Sequence, residues 1–183
     1  MGDLGRDVLL DPDEREWKPV SLAGVAAAAA FAGLILLCAV FNDGWVPLLD
    51  SANLALHEAG HPLAGILSER LAVYGGTLMQ LVFPAACMVE FARRREPTSL
   101  AICSIWLAEN LLNIARYMAD ARAMLLPLVG GDDVMHDWNT ILFRWRLLQK
   151  DVLLANGLRV LAWLLIASAL AYLFVRWRRE REA

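Results

Sequence analysis

Cysteine is scarce in this sequence and forms no chemical pattern: Cys38, Cys87 and Cys103 fall in apolar runs, far apart and without CxxC spacing. They read as small core or lipid-facing side chains and fix no redox compartment. A basic stripe with interleaved aromatics is missing too, and the net charge is only -3, which excludes nucleic acid as a partner. There is no internal repeat, so a transporter built from two similar halves has no support. Low complexity is confined to the alanines at 26–30, ordinary helix formers. Charge itself is absent from residues 20–41.

Apolar residues fill the space. They make up 58% of the chain, above the roughly 45–50% of a soluble globular domain, and mean hydropathy is +0.47. With 183 residues there is room for one domain, and the bilayer is its expected solvent. Residues 1–19 read as a solvated acidic leader in which Pro12 and Pro19 break any helix. The run at 20–41 exceeds the roughly 7–15-residue core of a signal peptide and follows acidic residues, so it reads as a retained membrane helix. Further spans are expected at 71–92, 98–119 and 152–175. The stretch 45–67 is apolar enough to enter a membrane but carries Asp50, His57, Glu58 and His61, each costly in lipid unless paired or bound. The expected class is all-α: a polytopic membrane bundle of four to five membrane helices, one embedded domain at 20–175, and a basic cytoplasmic tail at 176–183.

Arg93, Arg94 and Arg95 close one span, and Arg176, Arg178, Arg179 and Arg181 follow the last. The positive-inside rule assigns both clusters and the C-terminus to the cytoplasm, leaving 120–151 outside. There, Gly130-Gly131-Asp132-Asp133 reads as a turn. Residues 136–150, with Trp138, Ile141, Leu142, Trp145 and Leu148 on one side, read as an amphipathic helix at the interface. The N-terminal half admits two arrangements. Arg15 and Lys18 favour a cytoplasmic start, whereas a full crossing by 45–67 requires an outside start. Either the His57 segment is re-entrant, or the acidic N-terminus lies outside.

In His57-Glu58-Ala59-Gly60-His61 two imidazoles stand four residues apart, one helical turn above the other on a single face, where both can bind one zinc ion. Zinc held by three protein ligands keeps a place for water, and a neighbouring carboxylate, here Glu58, can take the water's proton. Pro62 predicts a kink just past the pair. A third ligand must come from elsewhere, and the candidates are His136 and Asp120. Ligation by Asp120 competes with an ion pair to Arg116 one turn away. Glu109, Asn113, Arg116 and Asp120 line one side of the 98–119 span, which must face protein. Asn113 is a candidate for orienting substrate, or for hydrogen bonding across helices as Glu109 does.

The HExxH motif resembles that of the intramembrane site-two metalloproteases, which carry it on a membrane helix and take a third zinc ligand from an aspartate in NxxPxxxxDG on a later span. Here Asn113 is followed by Arg116 where that family has proline, then by Asp120 one residue early, with Ala121 in place of glycine. The stretch from His57 through Gly75-Gly76 and Asn113-Ile114-Ala115 to His136-Asp137-Trp138-Asn139 also looks like a group of uncharacterised bacterial membrane proteins distantly related to that clan. The resemblance covers roughly residues 50–150. The HExxH resemblance implies a Zn2+-dependent metallopeptidase-like hydrolase and the second resemblance implies no known substrate; the expected place is the bacterial inner membrane, with a membrane protein or peptide as a candidate substrate. The alternative is a non-catalytic integral membrane protein whose metal site is structural or docks a partner.

Overall fold

A computed structural model describes residues 16–129 and 135–182, and every regular element among them is helical. The order is α1 (Leu22–Phe41), α2 (Leu49–Leu67), α3 (Glu69–Arg93), α4 (Pro97–Ala119), α5 (Asp137–Arg144), a 3-10 turn (Leu148–Lys150) and α6 (Asp151–Glu182). Four of them, α1, α3, α4 and the long C-terminal helix, are long and apolar enough to cross a membrane. At about 1.5 Å per residue, the 20 residues of α1 measure about 30 Å, the thickness of a hydrocarbon core. These features are compatible with an integral membrane protein. The expected leader, save for its last residues, and the Gly130–Asp133 turn lie outside the described residues.

Local chemistry sets the helix ends. Ser21 caps α1 by accepting from the Gly24 N–H at 3.0 Å. Ser68 ends α2 and in the same residue caps α3, its hydroxyl accepting from the Arg70 N–H at 3.2 Å. Pro97 opens α4 at a position where its missing N–H costs nothing. The expected helix at 136–150 is shorter: α5 stops at Arg144, because Arg146 takes a left-handed φ of 58° and its N–H turns back to the Phe143 carbonyl. Trp138, Ile141 and Leu142 are buried as expected, but Trp145 beyond the break is exposed. The basic tail is no separate segment, since α6 continues through Arg176 to Glu182.

Contacts at the arginine-rich end fix the arrangement. The Lys18 N–H donates to the Arg95 carbonyl at 2.9 Å, the Lys18 ammonium pairs with Glu96 at 2.8 Å, and the Val20 N–H donates to the Glu180 carboxylate at 2.6 Å. Trp17 lies between the guanidinium groups of Arg95 and Arg176, 5.5 and 5.2 Å from its ring centre. The start of α1, the α3–α4 turn and the end of α6 therefore share one end of the bundle. From there α1 runs to the far end, and α3 must begin at the far end to finish at Arg93. The segment 42–68 between them brings the chain back to the far end, with α2 packed antiparallel along α3. Among the described helices, α2 is not one of those long and apolar enough to cross a membrane.

One face of α2 is polar and inward: Asp50, Asn53, His57 and Gly60 are buried at intervals of three, four and three residues. It packs along α3 in a hairpin so close that a Cβ on Gly60 would fall on the Gly75 carbonyl, and one on Gly75 on the Gly60 carbonyl. Nothing on the sequence side announces this except the glycines themselves. Gly75→Val must therefore separate the hairpin, and overpacking of this kind costs typically 1–3 kcal/mol or more. The expected result in detergent is an unfolding midpoint lower by about 5 °C or more, against no shift for Gly33→Ala, whose added methyl meets nothing within 4 Å. An unchanged midpoint for Gly75→Val would contradict the packing.

Candidate metal centre

The α2–α3 crossing brings the His57 ring onto the backbone of α3. Gly76 makes room for it, since a Cβ there would lie 2.5 Å from His57 Nε2. One turn on, His61 follows on the same face, and the two ring centres are 4.8 Å apart. The helix continues through Pro62 to Leu67; the proline has no N–H to offer the Glu58 carbonyl one turn back.

The third group comes from α5. Its first residue, Asp137, is buried and directs Oδ2 to within 2.9 Å of His57 Nε2 and 3.4 Å of His61 Nε2. Three contacts hold α5 there. The Asp137 N–H donates to the Tyr117 hydroxyl at 3.1 Å, the Asn139 amide to the Ala121 carbonyl at 2.7 Å, and the Arg144 guanidinium to the Arg70 carbonyl at 3.2 Å. Behind them Trp138, Ile141 and Leu142 pack against Val73, Ile114, Ala115 and Met118.

Hydrogen bonding decides what these three groups present to one another. Asp50 Oδ1 accepts from the Asn113 amide at 2.9 Å, Asn113 Oδ1 accepts from the Gln80 amide at 3.2 Å, and Gln80 Oε1 lies 2.8 Å from His57 Nδ1. The carboxylate only accepts, so each amide is oriented in turn and His57 Nδ1 carries the proton. His61 Nδ1 likewise faces the Ala72 carbonyl at 2.9 Å and must donate to it. Both Nε2 atoms are left with lone pairs, aimed at a carboxylate oxygen that has only lone pairs. One proton satisfies one of these contacts, whereas one divalent cation satisfies both.

The distances fit such an ion. Two ligand bonds of about 2.0–2.2 Å meeting at a tetrahedral angle span about 3.4 Å, and the two imidazole–carboxylate separations are 2.9 and 3.4 Å, with all three ligand atoms within 4.8 Å of one another. Two imidazoles and one carboxylate, with polar groups behind them fixing the tautomer, form a donor set suited to zinc.

The sequence named His57 and His61, and the structure brings them together. It does not bring His136 or Asp120 to them. His136 caps α5: its Nδ1 accepts from the Asn139 N–H at 3.2 Å, so its proton is on Nε2 and neither nitrogen has a lone pair for a metal. The ring stacks on Tyr117 at 4.2 Å, and burial holds its pKa below the ordinary value although Asp120 lies 3.4 Å away. Asp120 is occupied in shaping the next turn, accepting from the N–H groups of Leu125 and Leu126, each at 3.0 Å. These bonds also replace the ion pair expected with Arg116. Asn113 stands behind His57, its amide engaged by Asp50 and Gln80, which makes it an orienting group for the ligand rather than one reaching for substrate. Glu109 bonds across helices as expected, accepting from the Asn53 amide at 2.6 Å.

Asp137, Gln80 and Tyr117 were missed. Asp137 adjoins the histidine that was chosen, and only the fold of α5 decides which of the neighbours turns inward. Gln80 and Tyr117 carried no signal beyond being polar residues in apolar spans.

Glu58 has no hydrogen-bond or ion-pair partner among the described residues. It lines two adjoining cavities, of about 390 and 320 Å³, together with His57, Tyr117, Leu128 and Val129. The first is otherwise walled by Trp45, Asp50, Leu54, Gln80, Asn113, Arg116 and residues 126–127, the second by His61, Glu69, Ala72, Val73, Met135, Asp137 and Arg144. Comparison with protein-family models, with curated proteins and with solved structures finds no match. The site is therefore read from its own geometry.

Equilibrium dialysis against zinc tests the ligand set. Asp137→Ala is expected to abolish binding at micromolar metal, while His136→Ala and Asp120→Ala keep one ion per chain. Gln80→Leu should weaken binding by about 10–100-fold, the usual effect of removing the partner that orients a ligand. Retention by Asp137→Ala with loss in His136→Ala would exchange the assignments.

Proposed function

We propose that this protein is a zinc-dependent peptidase of a cell membrane, with Glu58 as its general base. One observation carries the reading: three metal-binding atoms converge beside a carboxylate that has no protein partner, at a place open to two cavities. A structural zinc site is closed by four protein ligands, whereas a catalytic one has three and an open side. Here only three protein groups of that kind converge among the described residues.

A zinc ion held by His57, His61 and Asp137 would supply Lewis acidity, drawing electron density from a scissile carbonyl and making a nearby water easier to deprotonate. The residues of the chain do the rest. Glu58 accepts a proton from water as the water oxygen bonds to the carbonyl carbon. It then returns that proton to the amine nitrogen as the carbon–nitrogen bond breaks, so no proton is gained or lost. Tyr117 uses an oxygen lone pair to accept from the Asp137 N–H, which leaves its O–H free to donate toward the negative charge that develops on the carbonyl oxygen. Asp50, Asn113 and Gln80 hold the His57 tautomer throughout.

The arginine clusters at the end opposite the site support a cytoplasmic C-terminus, with the site in the outer half of the inner membrane of a bacterium. Apolar walls beside the metal site suit an extended apolar stretch of a membrane protein or peptide.

The test is hydrolysis of a mixture of unfolded polypeptides by the zinc-loaded protein in detergent, followed by the release of amines. Glu58→Gln should lower the rate by about 10²–10⁴-fold and leave zinc binding intact. Tyr117→Phe should lower it by about 10²-fold. Undiminished hydrolysis by Glu58→Gln would refute the reading.

A further inference from the structure

Arg116 has no hydrogen bond or ion pair with any described residue, although several acids lie near it in the sequence or the fold. Three are engaged elsewhere, while Glu58, in the same cavity, and Asp43, which shares another cavity with Arg116, form no ion pair with it. Asp120, one turn along α4, spends its oxygens on the Leu125 and Leu126 N–H groups. Asp50 accepts from the Val46 N–H at 2.6 Å and from Asn113, and Glu109 accepts from Asn53. The guanidinium is half-buried and lines the 390 Å³ cavity on the same surface as His57 and Glu58.

The Asp50 and Glu58 carboxylates also line this cavity but neither pairs with Arg116, and a partly buried positive charge is costly unless an anion meets it. The planar fork of a guanidinium matches a carboxylate through two parallel hydrogen bonds. Around it, Trp45, Leu54, Leu126 and Pro127 offer an apolar surface for a side chain. An apolar residue bearing a carboxylate, next to a peptide bond, describes the C-terminal end of a polypeptide.

Resting on the peptidase reading above, we propose that Arg116 is the carboxylate receptor of the site, and that the substrate is a polypeptide with a free, apolar C-terminus seated in this cavity. Asp120 then has a definite role: by capping the 120–126 turn it leaves Arg116 unpaired and holds Leu126 and Pro127 in the wall.

Two peptides separate the possibilities: an N-acetylated leucine tripeptide with a free carboxylate and the same peptide as its C-terminal amide. Their binding to the full-length, chelator-treated protein in detergent is measured by calorimetry, and their hydrolysis is measured after zinc is added. The acid is expected to bind at least about tenfold more tightly than the amide, as a charge-assisted pair allows. Arg116→Gln should erase the preference and Arg116→Lys should keep part of it. Equal binding of acid and amide by the unaltered protein overturns the proposal, and so does a preference that survives in Arg116→Gln. If the acid is preferred yet neither peptide is cut, the receptor stands and the peptidase reading fails. If both are bound and cut equally in a Glu58-dependent way, the peptidase reading stands and the receptor fails.

Discussion

Two imidazole lone pairs and a carboxylate facing one another is an arrangement that no neutral hydrogen bond can satisfy, and the rest of this molecule is organised around it. The direction of the hydrogen bonds comes from Asp50, three hydrogen bonds behind His57. Its carboxylate orients Asn113, Asn113 orients Gln80, and Gln80 sets the proton on His57 Nδ1. Such a relay is strong where water is scarce, because each misoriented amide would bury an unpaired group at a cost of about 1–3 kcal/mol. The polar residues in the apolar spans are thus parts of one device.

The fold serves that device by close approach. Glycines at 60, 75 and 76 let α2 lie against α3 and let the His57 ring rest on the α3 backbone. A short amphipathic helix carries Asp137 across the far ends of α3 and α4 and is anchored by Tyr117, Ala121 and Arg70. At the opposite end, Trp17 and Lys18 bind to the arginine-rich turn, and this contact keeps both termini of the bundle on one side. The consequence is a helix, α2, that lies along α3 and turns its costly polar groups inward.

Much of this was legible in the sequence. The apolar runs marked the four long apolar helices, three of them to within two residues and the last short of its C-terminal end, because such helices demand length and lack of charge and little else. The His57–His61 pair was legible because helical periodicity is local. The third group beside them was not, since whether Asp137, His136 or Asp120 faces the pair depends on which residue caps α5 and which turns inward, a matter of tertiary packing. The Arg116–Asp120 pair failed for a related reason. Spacing permits an ion pair, but two backbone N–H groups at a helix end compete for the same carboxylate and win. Contacts of Trp17, Lys18 and Val20, which bring the start of α1 to the arginine-rich end, were not legible because they join residues far apart in sequence.

Everything functional depends on one cation being held by two nitrogens and one carboxylate oxygen. X-ray absorption at the zinc edge of the purified full-length protein tests this most directly. The account predicts one zinc per chain with nitrogen and oxygen neighbours at about 2.0–2.2 Å and no sulfur neighbour. A stoichiometric ion with sulfur at about 2.3 Å would move the site to the cysteines, and failure to take up zinc at all would contradict the account.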